Sequence, residues 1–413
     1  MGALDGVRVL DLSQGAAGPT CAMILGDHGA EVIKVEPCSG EWGRGLGPPF
    51  WHGVAAAYLG MNRNKRSIAL DLKRPAGRRI VRKLAARADV LVESFRPGVL
   101  DRLELGHAAL RAENPGLVYC SITAFGPSGP WRDRPGVDGV VQAMSGLMSV
   151  TGTADGDPVK VGVPAADMTA AFLSVQGILL ALHARARTGQ GQHVGVALLD
   201  ALLAFQAVPL AMYLAGGEIP QKLGSAAPYS APNEVFRTRD GAIMLAAYTP
   251  ERWSALCRVV ERPELEDDPR FRSNADRVRN RPALREEMER SLRQRDSAVW
   301  LQALAAADII CGPLLTYEQL VAEPQLAENQ MVIELRHPTL GAATTAGIPV
   351  KLERTPGSVR EPAPQVGEHS AAVLAELGYS NAEIEALIGE GTVVALDARR
   401  TTGSGVANRG GTS

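Results

Sequence analysis

The segment Val161-Gly162-Val163-Pro164-Ala165-Ala166-Asp167 ends in a carboxylate directly before an almost wholly apolar run, Met168 to Leu182. A helix start gathers free backbone N–H groups and a positive dipole end, and both favour an anion there. On that reading Asp167 caps the helix and stays ionised, which is the state a nucleophile needs to attack an activated acyl group. A cap without chemistry explains the same residue equally well, so the rest of the chain has to decide.

Two cationic groups come next. Asn62-Arg63-Asn64-Lys65-Arg66-Ser67 carries three cations before a predicted strand, and Lys73 follows it. Glu93-Ser94-Phe95-Arg96-Pro97-Gly98-Val99-Leu100-Asp101-Arg102 places an aromatic and two arginines after another strand, with Pro97 and Gly98 turning into a helix. Such cations suit phosphates, with Phe95 or Leu70 packed on an adenine ring; the plainer alternative is a solvated cationic surface. The loop Ser13-Gln14-Gly15-Ala16-Ala17-Gly18-Pro19, with Glu36 ending the following strand, resembles a dinucleotide crevice but is not G-x-G-x-x-G. A nucleotide-like ligand fits this pattern better than NAD does. The seven histidines show no paired metal spacing. No G-x-S-x-G elbow or G-x-x-x-x-G-K-[ST] loop is present, which argues against serine hydrolases and P-loop enzymes.

The elements that must position these residues alternate. Strands are predicted at Val7–Leu12, Glu31–Glu36, Ser67–Leu72, Asp89–Glu93 and Leu117–Ile122, with helices from Pro19 to Gly29 and from Pro75 to Arg87. That order implies an α/β fold with a parallel sheet covered on both faces, which binds ligands beyond the carboxyl ends of its strands. After the apolar helix, Thr188-Gly189-Gln190-Gly191-Gln192 breaks the chain, His193–Ala197 is strand, and a second long apolar helix follows. The Gly/Pro/Ser/Ala-rich stretch 216–232 is a linker, and Asp240-Gly241 marks a hairpin that opens a small domain over 233–312. Residues 1–215 then form the large domain, 313–396 return to it, and 397–413 form a tail expected to lack structure.

At 413 residues the chain exceeds one simple core, in keeping with two domains. A net charge of -2 and a pI near 6.4 argue against nucleic-acid binding. Five scattered cysteines without a C-x-x-C pair fit reduced thiols, and the start shows no secretory signal, so the expectation is a cytoplasmic protein. The stretches 168–182 and 194–215 carry polar breaks and are expected to be buried helices, not membrane spans.

Six segments together resemble the class III CoA-transferase family, the formyl-CoA and carnitine CoA-transferase type, which also contains α-methylacyl-CoA racemases. They are Leu4–Leu12, Gly29–Glu36, Asn64–Lys73, Glu93–Gly98, Thr188–Gln192 and Gly367–Ser370, in the family's order from about Leu4 to Leu387. The resemblance implies a Rossmann-like large domain built from both chain ends, a smaller α+β domain, and two chains interlocked as a homodimer. It implies no permanently bound cofactor and no metal, with coenzyme A arriving as part of an acyl-CoA substrate and a carboxylic acid as acceptor. Leu70, Lys73, Ser94, Phe95, Arg96 and Arg102 match the family's CoA-contact positions, Ala16 falls in the first loop, and Asp138 falls in another ligand-lining segment. Asp167 matches the aspartate that forms an aspartyl mixed anhydride and then an aspartyl-CoA thioester.

Three departures refine that picture. The racemase branch has a histidine where Val137 stands, and valine cannot be the second acid/base, which favours transfer over the racemase alternative. Formyl-CoA transferases have a glutamine where Ala16 stands, and their glycine run has no counterpart between Gly216 and Gly241. These two point away from oxalate and formate; Ala16 and Ala17, with Met144 and Leu147, suggest a larger or less polar acid.

Overall fold

A computed structural model describes residues 1–337 and 341–396; the expected tail, 397–413, lies outside the described residues. Two compact units are formed, one from Met1–Ser145, Val161–Ala211 and Gln325 onward, the other from Gly146–Lys160 and Met212–Pro324. Residues 146–160 group with the smaller unit, and the chain re-enters the larger one at Gln325, within the stretch 313–396 expected to be linker and return, after the helix Tyr317–Val321.

In the larger unit, short stretches rich in Val, Ile and Leu become strands, buried most deeply at the centre of the sheet and least at its edges. They are β1 (Arg8–Asp11), β2 (Glu31–Glu36), β3 (Lys65–Leu70), β4 (Val90–Glu93), β5 (Val118–Thr123), β6 (His193–Ala197) and β7 (Val393–Val394). The sheet runs β7-β3-β2-β1-β4-β5-β6, parallel throughout except for β7, which pairs antiparallel to β3 with Val393 opposite Leu70. The sheet is thus mixed, and its edge strand comes from the far end of the chain.

From β1 the chain steps to β2 and β3 on one side, then crosses to β4, β5 and β6 on the other. The gap beyond the carboxyl ends of β1 and β4 is therefore the switch point where such sheets hold ligands. Helix α1 (Ala17–Asp27) leaves β1 on one side of that gap, and α2 (Pro75–Ala85) follows β3, burying Ile80, Val81 and Leu84. Short α3 (Val99–Arg102) and α4 (His107–Glu113) follow β4, and α5 (Asp138–Met144) follows β5. The helix Asn381–Gly389 begins at a Ser380–Glu383 capping box.

Helix α6 (Ala165–Thr188) buries Ala166, Ala170, Ser174, Ile178 and Ala181, a stripe of mostly small side chains at helical spacing that lets α1 pack closely. Its other side leaves Phe172 57% and Leu180 62% exposed. The expectation of fully buried apolar helices therefore needs correction. The second one breaks into α7 (Leu198–Phe205) and α8 (Ala207–Gly216), bent by 74°, and α8 buries none of its residues. The break falls at Gln206, whose Nε2 donates to the Ser145 and Leu202 carbonyls.

The smaller unit pairs Asn233–Arg237, Ala242–Ala246 and Ile310–Pro313 antiparallel, with the Asp240-Gly241 turn where expected. Its helices close a core around Trp253, Phe271, Met288 and Trp300.

Candidate active site

The first loop, between β1 and α1, is held from below by buried charge. Lys34 donates to the Ser13 carbonyl at 3.0 Å and pairs with Glu41 at 3.2 Å, while the Gly15 N–H donates to Glu41 at 2.8 Å. Lys65 donates to Asp11 at 2.9 Å, and the Ser13 hydroxyl also donates to Asp11. Burial alone would raise the Asp11 carboxyl, but Lys65, Lys34 and Ser13 outweigh it and hold it below the usual range. Lys65 is pushed down to about 8, by burial above all. Gly15 has φ +84°, and a Cβ there would lie 2.5 Å from the Trp42 ring, so the loop depends on glycine at this position.

This corrects the first cationic group. Arg63 is bound to Asp27 and Lys65 to Asp11, both buried; Arg66 pairs with Glu31 and Glu376. Lys65 is held beneath the first loop, and none of the three lines either cavity of the crevice.

Two cavities open at the switch point. The first, about 510 Å³, lies beyond β1, β2 and β3 and is walled by Leu12, Val35, Leu70, Lys73, Phe95 and Leu103, among others. The second, about 400 Å³, is walled by Gln14, Ala16, Ala17, Trp42, Ser94–Pro97, Arg132, Arg134, Val137 and Asp167. Gln14 and Phe95 belong to both walls, so the two are neighbours at the β1–β4 gap. Ser94 Oγ crosses that gap, accepting the Gln14 N–H at 3.0 Å and donating to the Gln14 carbonyl at 3.3 Å.

Of the residues singled out in the sequence, Leu70, Lys73 and Phe95 line the first cavity; Ala16, Ser94, Phe95, Arg96 and Asp167 line the second. Arg102 is exposed on α3 and stands in neither wall. Asp138 is engaged elsewhere: its Oδ1 accepts the Ala166 N–H at 2.8 Å and its Oδ2 accepts from Gln142 at 2.7 Å. Gln142 in turn accepts the Val161 N–H, so the approach to α6 is fastened to α5. Met144 is not in the wall, and three arginines are, which adds positive charge to the apolar surface that its alanines suggested.

Asp167 itself differs from the sequence expectation. Pro164 is the N-cap of α6, Asp167 is the third helical residue, and the carboxylate that meets the helix start belongs to Asp138. Burial first, then the negative charge of Asp138, pushes the Asp167 carboxyl up to about 6. At neutral pH about nine in ten such groups remain ionised, and a poorly solvated carboxylate is the more basic nucleophile. The helix dipole does not win here. Trp42, Arg132 and Arg134 were missed. Arg132 and Arg134 lie in a charged run immediately before Pro135-Gly136, which adjoins the segment flagged around Asp138 and was the available signal.

Residues 4–370 match the model of CoA-transferase family III. The chain is 38% identical over 392 residues to succinyl-CoA:glutarate CoA-transferase of Mus musculus, covering 94% of this chain and 90% of that one. It is likewise 38% identical over 386 residues to acetyl-CoA:oxalate CoA-transferase of Acetobacter aceti, covering 92% and 97%. A crystal structure of a CAIB/BAIF family protein from Brucella suis superposes with a TM-score of 0.81 at 38% identity, covering 91% of this chain and 99% of that one.

Proposed function

The chain belongs to CoA-transferase family III, an enzyme family acting on CoA thioesters, and we propose that it moves CoA between two carboxylic acids through covalent intermediates on Asp167. The supporting observation is that Asp167 lines the cavity next to the Leu70–Lys73–Phe95 crevice at the switch point. CoA would lie with its adenine in the larger crevice and its thioester in the smaller one, so that contacts remote from the reacting carbon orient it.

Asp167 attacks the thioester carbonyl; a C–O bond forms, the C–S bond breaks, and CoA leaves as thiolate. The thiolate attacks the Asp167 carbonyl of the mixed anhydride, releasing the donor acid and leaving an aspartyl-CoA thioester. The acceptor carboxylate attacks that thioester, and the freed thiolate then takes the acceptor acyl group and restores Asp167. A carboxylate suffices because every intermediate stays activated. Developing oxyanions need N–H donors, and the start of α1 at Ala16-Ala17 is in the same wall.

For substrates we propose dicarboxylic acids, with Arg132 or Arg134 binding the carboxylate that does not react. The relatives named for succinyl-CoA with glutarate, and for oxalate, support this class. We further propose a homodimer of interlocked chains, supported by the uncovered apolar face of Phe172, Leu179, Leu180, Leu203 and Phe205. A cytoplasmic location accords with five free cysteines.

The test is a matrix of acyl-CoA donors against mono- and dicarboxylates, read by mass detection of new thioesters, for the wild type and Asp167→Ala. Transfer to dicarboxylates that Asp167→Ala abolishes, with acyl-CoA still bound, is the expected result. A fully active Asp167→Ala enzyme contradicts the mechanism, and transfer confined to monocarboxylates contradicts the substrate class.

A further inference from the structure

Glu93, the last residue of β4, is a buried carboxyl that the chemistry on Asp167 does not use. It is 6% exposed, and its Oε2 accepts the Phe95 N–H at 2.8 Å. That bond fixes the backbone of Ser94-Phe95-Arg96, the segment standing between the two crevices. Behind it lies a third cavity of about 130 Å³ bordered by Glu93, Asp101, His107, Ser121 and His193. Arg96, Pro97, Thr123 and Arg132 wall both this cavity and that of Asp167, so the two spaces are neighbours.

Ser121 Oγ lies 2.9 Å from His193 Nε2. The His193 ring stacks on His107, centroids 4.4 Å apart and planes 5° apart. These groups border the same cavity as Glu93, whose carboxylate takes its hydrogen bond from the Phe95 N–H.

We propose that Glu93 is a positioning residue for CoA: its ionised carboxylate holds the Ser94–Arg96 backbone in the binding geometry, and protonation loosens that hold. The proposal rests on the placement of CoA against these residues given above. A charged acceptor grips an N–H more strongly than a neutral one, so the hold weakens without breaking. Burial pushes the Glu93 carboxyl up to about 7, against the pull of Ser121 and the Phe95 N–H, and Asp101 adds to the rise. The other groups facing it are Tyr119 and Cys120 on β5, His107 on α4, His193 on β6, and Arg96 and Arg132 at the cavity wall. Asp11 on neighbouring β1 is occupied by its lysines. Burial raises Tyr119 far out of range and Cys120 to about 12, while burial, His107 and Arg111 hold His193 down. Near neutrality Tyr119 and Cys120 are therefore uncharged, and His193 is shifted toward its neutral form.

Calorimetric titration of free CoA from pH 6 to 8 tests this on full-length Asp167→Asn protein, which removes the nucleophile's own titration. The same protein is compared with added Glu93→Gln or Arg96→Ala; the phosphates of CoA titrate alike against all three. Glu93→Gln keeps an acceptor for the Phe95 N–H and a donor for Ser121 but carries no charge. At pH 8 it should bind CoA about five- to tenfold more weakly than its parent, and at pH 6 the two should converge. In the parent, carbon NMR of the Glu93 carboxyl should show it titrating across the same range, a readout that stands even if Glu93→Gln does not fold. Equal CoA affinities at every pH, or a Glu93 carboxyl that does not titrate between pH 6 and 8, would overturn the proposal. Loss of binding in Arg96→Ala without loss in Glu93→Gln overturns this inference alone, whereas undiminished binding in Arg96→Ala overturns the placement of CoA beneath it.

Discussion

Asp138, and not the proposed nucleophile Asp167, is the carboxylate that meets the start of α6. Asp138 is satisfied there, which leaves Asp167 half-buried, next to a like charge, and without a cap bond. A carboxylate in that setting weakens the fold. With its carboxyl raised from 3.8 to about 6, the folded protein carries no penalty below pH 4, an increasing one from pH 4 to 6, and the full penalty above. Asp167→Asn should accordingly raise stability by about 1–3 kcal/mol at pH 8 and leave it unchanged near pH 4, as read from denaturant midpoints. In the active enzyme, kcat/KM should fall tenfold per pH unit below about 6 as this carboxylate is protonated. The arginines make a separate prediction. Arg132→Ala or Arg134→Ala should raise KM for dicarboxylates about 10- to 100-fold while leaving monocarboxylates nearly unaffected, because one charge-assisted hydrogen bond is lost. A uniform effect on both acid classes would assign these arginines to CoA instead.

Among the elements, the first loop depends most on side chains remote in sequence. Lys34 and Glu41 are both fully buried, and together they fasten the backbone of Ser13 and Gly15. Glu41→Gln leaves Lys34 with Asp11 at 3.9 Å as its remaining anion, so it should cost about 3–5 kcal/mol in a urea melt and lower kcat through a loosened loop. Unchanged stability would show that the network is not holding the loop. Strand periods were legible where turn signals bounded them: β2 and β6 run between the residues expected. Partners were not. Lys65 lies 54 residues from Asp11, and Arg63 lies 36 from Asp27, so a linear reading saw free cations where the fold pairs them. The cap of α6 was misread for the same reason, since Asp138 lies 28 residues before the N–H it accepts.

For the whole molecule, fold and family were legible because six ordered segments span nearly the entire chain, and the match over residues 4–370 agrees with them. What linear order concealed is which apolar faces are covered within one chain. Phe172, Leu180 and Phe205 are 57%, 62% and 59% exposed on helices that otherwise look like core. If a second copy covers them, the 43.7 kDa chain sediments at about twice that mass, and Phe172→Glu with Leu180→Glu shifts it toward the monomer. Sedimentation of the wild type as a monomer would remove the dimer from the account. The central claim is chemical, and one measurement reaches it most directly. Wild-type enzyme turning over a radiolabelled acyl-CoA is quenched within milliseconds, treated with hydroxylamine, and digested for peptide mass analysis. The account predicts acyl label on the protein before hydroxylamine and a hydroxamate on Asp167 after it. Full transfer with no adduct on Asp167 at any quench time would contradict it.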